Sequence, residues 1–114
     1  MFSKNNLNKI PVEETPHSTG SRKIIVNKQE IPSKYFEALT YGYLPPTESW
    51  SLHKHEGIVE ICLVIKGSGN IVDKNNNLET FETGDRFIFP PDTEHAIINT
   101  SKEIDEFFFF RLKA

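Results

Sequence analysis

Gly, Pro or Asn interrupts most windows of this sequence long enough to hold a helix, and apolar residues at three- and four-residue spacing are scarce. Short β-branched and aromatic runs stand between the interruptions. Lys-Ile-Ile-Val-Asn-Lys after Arg22 reads as a strand, as does Phe36 to Leu44, closed by Pro45-Pro46. Trp50 to His53 and Ile58 to Ile65 follow. Asn70 to Lys74 and Leu78 to Glu82 pair around Asn75-Asn76-Asn77, and Gly84-Asp85 makes the next corner. Arg86 to Phe89, His95 to Asn99 and Asp105 to Leu112 complete the series. Short strands at regular intervals, joined by hairpins, predict an all-β sandwich or antiparallel barrel, which also limits exposed sheet edges.

Within that frame, residues 53–67 carry the chemistry. His53 and His55 point the same way in an extended strand, whereas Glu60, an odd number of residues from both, joins them only if the chain bends near Gly57. Two imidazoles and a carboxylate leading into a buried strand are costly unless something satisfies them, and a divalent metal ion would do so.

Length and charge narrow the classes. A chain of 114 residues suits one domain with one core. The balance of 13 basic and 16 acidic side chains, a net −3, has no basic block, so nucleic acid is not an expected partner. No apolar run approaches the roughly 20 residues of a membrane span, and the polar start lacks a secretory signal. One cysteine in an apolar run suits a reducing interior, so a cytoplasmic location is expected. Residues 1–21, with Pro11, Pro16 and Gly20 among polar residues, read as an N-terminal arm, disordered or loosely packed rather than crossing to a partner; residues 22–114 read as the barrel domain. His17, within the arm, is expected to be solvated.

The second half of the site is Gly84-Asp-Arg-Phe-Ile-Phe-Pro90-Pro-Asp-Thr-Glu-His95-Ala-Ile-Ile-Asn99. With it, the chain resembles a small single-domain cupin. His53, His55, Glu60 and Gly67 stand at the spacings of the first cupin motif, and Gly84, Pro90, His95 and Asn99 at those of the second. Eight of ten fixed positions agree, and the 16 residues between the motifs suit small microbial cupins. The departures are Thr47 and Asp92, each where the family has glycine; Asp tolerates a left-handed turn. The resemblance implies an antiparallel double-stranded β-helix, or jelly-roll barrel, holding one divalent transition-metal ion on His53, His55, Glu60 and His95. Three imidazoles and a carboxylate are compatible with Fe, Mn, Ni, Co or Zn, and four ligands in an octahedral ion leave two positions open.

Other residues read more plainly. Cys62 shares the Glu60 parity but reads as core. Phe36, Tyr41, Tyr43 and Trp50 are mostly core, with one or two at the barrel mouth. Glu56 and Glu94 sit beside presumed ligands and point away from them. Arg86 could meet an anionic substrate, with surface pairing favoured. Phe107 to Phe110, with Val59, Ile61, Leu63 and Ile65, puts apolar groups on both faces of the sheet. A homodimer packed sheet to sheet would cover the outer one, as could the N-terminal arm. Two functional readings follow: a metal-dependent enzyme, of dioxygenase, isomerase or lyase type, acting on a small polar molecule, and a non-catalytic small-molecule binding or sensing module. A polar group placed for proton transfer in the barrel favours the first; a wholly apolar lining favours the second.

Overall fold

A computed structural model describes residues 2–16 and 19–114; His17 lies outside the described residues. Among the described residues ten strands follow in order: β1 (Glu13–Glu14), β2 (Ser21–Asn27), β3 (Phe36–Leu44), β4 (Ser49–His53), β5 (Ile58–Lys66), β6 (Ser68–Asp73), β7 (Leu78–Glu82), β8 (Arg86–Phe89), β9 (His95–Asn99) and β10 (Asp105–Lys113). Leu7–Lys9 and Lys28–Glu30 form single 3-10 turns, the second closed by a capping box between Asn27 and Glu30. The fold is all-β and antiparallel. Two sheets face each other, one ordered β1-β2-β3-β10-β5-β8 and the other β4-β9-β6-β7.

Alternation along each strand decides which residues meet between the sheets. On β10, Asp105, Phe107 and Phe109 are buried while Phe108 and Phe110 are only partly covered; on β5, Glu60, Cys62 and Val64 are buried and Leu63 is 38% exposed. Phe107 and Phe109 join Leu44, Trp50, Cys62, Val64, Ile71, Phe81, Phe89 and Ile97 in one core cluster. Trp50 lies 5.6 Å from Phe107 and 5.7 Å from Phe109 by ring centroids, so β4 is clamped against β10 across the interior.

The two departures from the motifs keep the backbone shape that glycine would allow. Thr47 has φ 64° and Asp92 φ 61°, both in the left-handed region. Asn99, the last motif residue, is a structural tie. Its amide nitrogen donates to the carbonyls of Leu44, Pro45 and Glu103, and its oxygen accepts from the Ser101 backbone and hydroxyl. It thereby joins the turn after β3 to the loop after β9. Among the described residues, no helix is long and apolar enough to cross a membrane.

Candidate metal centre

The parity conflict at Glu60 is resolved by the fold. His53 ends β4 in one sheet, Gly57 turns the chain at φ 64°, and Glu60 lies on β5 in the opposite sheet. The histidines and the carboxylate thus approach from facing walls. β9 supplies His95, which pairs in register with His53. One ligand atom from each of His53, His55 and His95 lies within 4.8 Å of the others.

Backbone contacts fix two of the rings. His53 Nδ1 sits 2.7 Å from the Ser51 carbonyl and His95 Nδ1 3.1 Å from the Thr93 carbonyl. A carbonyl only accepts, so each Nδ1 carries the proton, and in the neutral ring Nε2 keeps its lone pair. Phe89 stacks on the His95 ring at 3.7 Å with an interplanar angle of 1°, holding it flat. His95 Nε2 is buried and, among the described residues, makes no hydrogen bond, although it lies 3.5 Å from Glu60 Oε1. A buried lone pair left without a donor is the kind of atom a cation would satisfy, and histidines tethered through Nδ1 are typical of metal ligation. The three-histidine set therefore fits a divalent ion.

Glu60 lies alongside that set with a partner of its own. Its Oε2 is 2.6 Å from Arg111 Nε and 3.5 Å from His55 Nε2. Burial alone would raise this carboxyl, but the Arg111 guanidinium beside it more than offsets that and holds it well below the usual carboxylate range. The carboxylate is ionised at neutral pH. Its negative charge is balanced by Arg111.

The pocket is a cavity of about 80 Å³ whose lining includes His53, His55, Glu60, Thr40, Arg22 and Arg111, with Trp50 and Phe109 as apolar wall. Thr15 and Pro16 of the N-terminal segment also border it, while Trp50 Nε1 donates to the Thr19 carbonyl at 3.0 Å. Sequence reasoning missed both arginines. Arg111 follows the phenylalanine run directly, and counting parity from the inward Phe107 and Phe109 would have found it. Arg22 had no such signal, because its strand has no anchored register in the sequence. Arg86 stands exposed on β8 opposite the outward Leu63, away from the pocket. Glu56 is exposed and Glu94 partly so, and neither lines this cavity. Cys62 is fully buried in the core, where burial and the nearby Glu60 charge push its thiol pKa far up.

The sequence matches the Cupin domain family over residues 41–110, which spans both halves of the site. The chain is a cupin. Solved structures agree with the fold. A predicted oxalate decarboxylase from Thermotoga maritima superposes on this cupin with a TM-score of 0.84 at 25% identity, covering 96% of this chain and 97% of that one. The polyketide cyclase RemF from Streptomyces resistomycificus gives 0.82 at 15% identity, covering 99% and 80%. KdgF from Halomonas sp. gives 0.76 at 16% identity, covering 98% and 96%. No curated protein sequence is significantly similar to this cupin.

Proposed function

We propose that this cupin is a metal-dependent enzyme acting on a small polar molecule, with one divalent transition-metal ion held by His53, His55, Glu60 and His95. The observation that carries the reading is the convergence of three imidazoles, two of them fixed through Nδ1, with His53 and His55 lining a cavity that also contains the buried Glu60 carboxylate. A bound ion would supply Lewis acidity or a place to activate oxygen. The chain's own groups do the rest: Glu60 contributes negative charge beside the histidines, Arg111 orients it, and Trp50, Phe109 and Ile97 restrict water. The polar lining favours turnover over a purely binding or sensing role, which stays the second reading. Among dioxygenase, isomerase and lyase chemistries, the likeness to a predicted oxalate decarboxylase supports the lyase type.

The same proposal includes a reducing, cytoplasmic setting for Cys62, residues 1–21 as an arm on a barrel of residues 22–114, and a homodimer. Dimerisation would cover the outer face of the larger sheet, where Leu63 is 38% and Ile88 51% exposed beside Phe108 and Phe110. Analytical ultracentrifugation should give twice the chain mass.

The central test is elemental analysis of purified, metal-supplemented protein, which should find about one transition-metal ion per chain. His95→Ala should lose most of it while the circular dichroism spectrum stays that of a barrel. Absence of metal in the parent protein, or unchanged content in the variant, would overturn the assignment. Oxygen uptake during a substrate screen then separates oxygenase from lyase and isomerase chemistry.

A further inference from the structure

Two arginines share the wall of the histidine cavity, and each uses only part of its donor capacity on the protein. Arg22 on β2 lies opposite Gly42, where the absence of a side chain lets Trp50 and Phe109 pack close against the backbone; a Cβ there would stand 3.0 Å from Trp50 and 2.9 Å from Phe109. Arg22 Nε donates to Glu13 Oε1 at 2.9 Å, and Arg111 Nε donates to Glu60 Oε2 at 2.6 Å. A guanidinium has five N–H donors. Among the described residues, the remaining donors of both arginines meet no side-chain or backbone acceptor, although the two side chains are only 25% and 22% exposed. Thr40, 3% exposed, stands in the same lining and its hydroxyl makes no hydrogen bond to a described residue.

Charge points the same way. Arg22 and Arg111 are balanced by Glu13 and Glu60, so the protein side of the cavity is neutral, and a divalent ion on the histidines would leave it at +2. Such an excess in a half-enclosed cavity favours an anionic guest. A second cavity of about 220 Å³ shares Arg22, Thr40 and Arg111 with the first and adds Lys28 and Glu37, paired at 3.7 Å, so the three shared residues form a partition between two spaces. A ligand gripped at the partition can face the histidines at one end and extend away at the other.

We infer that Arg22, Arg111 and Thr40 form a carboxylate-binding subsite and that the substrate of this cupin is a small organic carboxylate. The guanidinium fork matches the planar carboxylate with two parallel hydrogen bonds. The inference deepens the enzyme reading by naming its substrate class, and rests on that reading only for the chemistry at the far end of the ligand.

Isothermal titration calorimetry tests it with succinate, the neutral succinamide and inorganic phosphate, on metal-loaded and on chelator-treated full-length protein. Succinate should bind both forms, more tightly when metal is present, and at least tenfold more tightly than succinamide. Arg22→Gln should weaken succinate at least tenfold in both forms without changing metal content. Arg22→Lys keeps a charge opposite Glu13, guards against a folding defect, and should still lose several-fold because the fork is gone. No succinate binding, equal binding of succinamide, tighter binding of phosphate, or unchanged affinity in both Arg22 variants would each overturn the subsite. Because the chelator-treated protein is read separately, failure here is distinguishable from failure of the metal centre.

Discussion

Arg111 Nε lies 2.6 Å from Glu60 Oε2, across the register that sets β10 beside β5. The Glu60 side chain is 3% exposed, so the guanidinium is what makes an ionised carboxylate tolerable there in the absence of a cation. Arg111→Leu should therefore destabilise the metal-free protein by about 2–3 kcal/mol, less than the loss expected for a fully buried pair because Arg111 keeps some access to water. A divalent ion would replace the missing charge. Denaturant titrations with and without added metal should show a larger stabilisation by metal in the variant than in the parent, and equal stabilisation would argue against Glu60 acting beside the ion.

Asp105 is fully buried, and although Ser68 N–H donates to its Oδ1 at 3.1 Å, Oδ2 has no hydrogen-bond partner among the described residues. Burial raises its carboxyl to about 6, with the hydrogen bond from Ser68 only partly opposing the rise. The folded state then holds the proton more tightly than the unfolded chain. Below pH of about 4 both states are protonated and this group costs nothing; the cost appears as pH rises and is complete above about 6. The stability of the parent protein should fall across that window by roughly 2–3 kcal/mol from this group. Asp105→Asn should remove that part of the slope, as read from urea midpoints at pH 4, 5, 6 and 7.

Thr47 is exposed and β-branched, yet holds φ 64°. The left-handed conformation costs such a residue about 1–2 kcal/mol, partly offset by the greater chain entropy that glycine brings to the unfolded state. Thr47→Gly should raise stability by roughly 0.5–1 kcal/mol. A lowered thermal midpoint would mean that the threonine side chain compensates for its backbone.

Phe107 and Phe108 are neighbours with opposite duties. Phe107 is 0% exposed within the core, whereas Phe108 is on the other face, in edge contact with Tyr41 at 4.8 Å. Phe107→Ala should cost about 3–5 kcal/mol, in the range for large core deletions. Phe108→Ala should cost less in dilute protein and should weaken self-association, which sedimentation at several concentrations can resolve.

Gly67 marks a contact that tolerates no side chain. With φ 118°, a Cβ there would run into Asp105 Oδ1 and stand 3.0 Å from the Asp105 Cα. Gly67→Ala should destabilise by at least about 2 kcal/mol, and Asp105→Ala in the same background should recover part of it by removing the side-chain clash.

The strand series was legible because β-branched and aromatic runs, broken by Gly, Pro and Asn, carry a local signal. Arg86–Phe89 and His95–Asn99 are strands over those very residues, and Phe36–Leu44 likewise. The spacing of His53, His55, Glu60 and His95 was legible too, since motif spacing is a property of the chain. The sequence could not determine that Glu60 reaches the histidines from the opposite sheet, because that depends on the turn at Gly57 and on which sheet each strand joins. It was equally silent on the pairing of Arg111 with Glu60, on Arg22 at the cavity wall, and on residues 15–16 bordering it. Local preference thus determined the elements and the candidate ligands. Only non-local register, set by burying Phe107 and Phe109 between the two sheets, decided which charged groups share one small cavity.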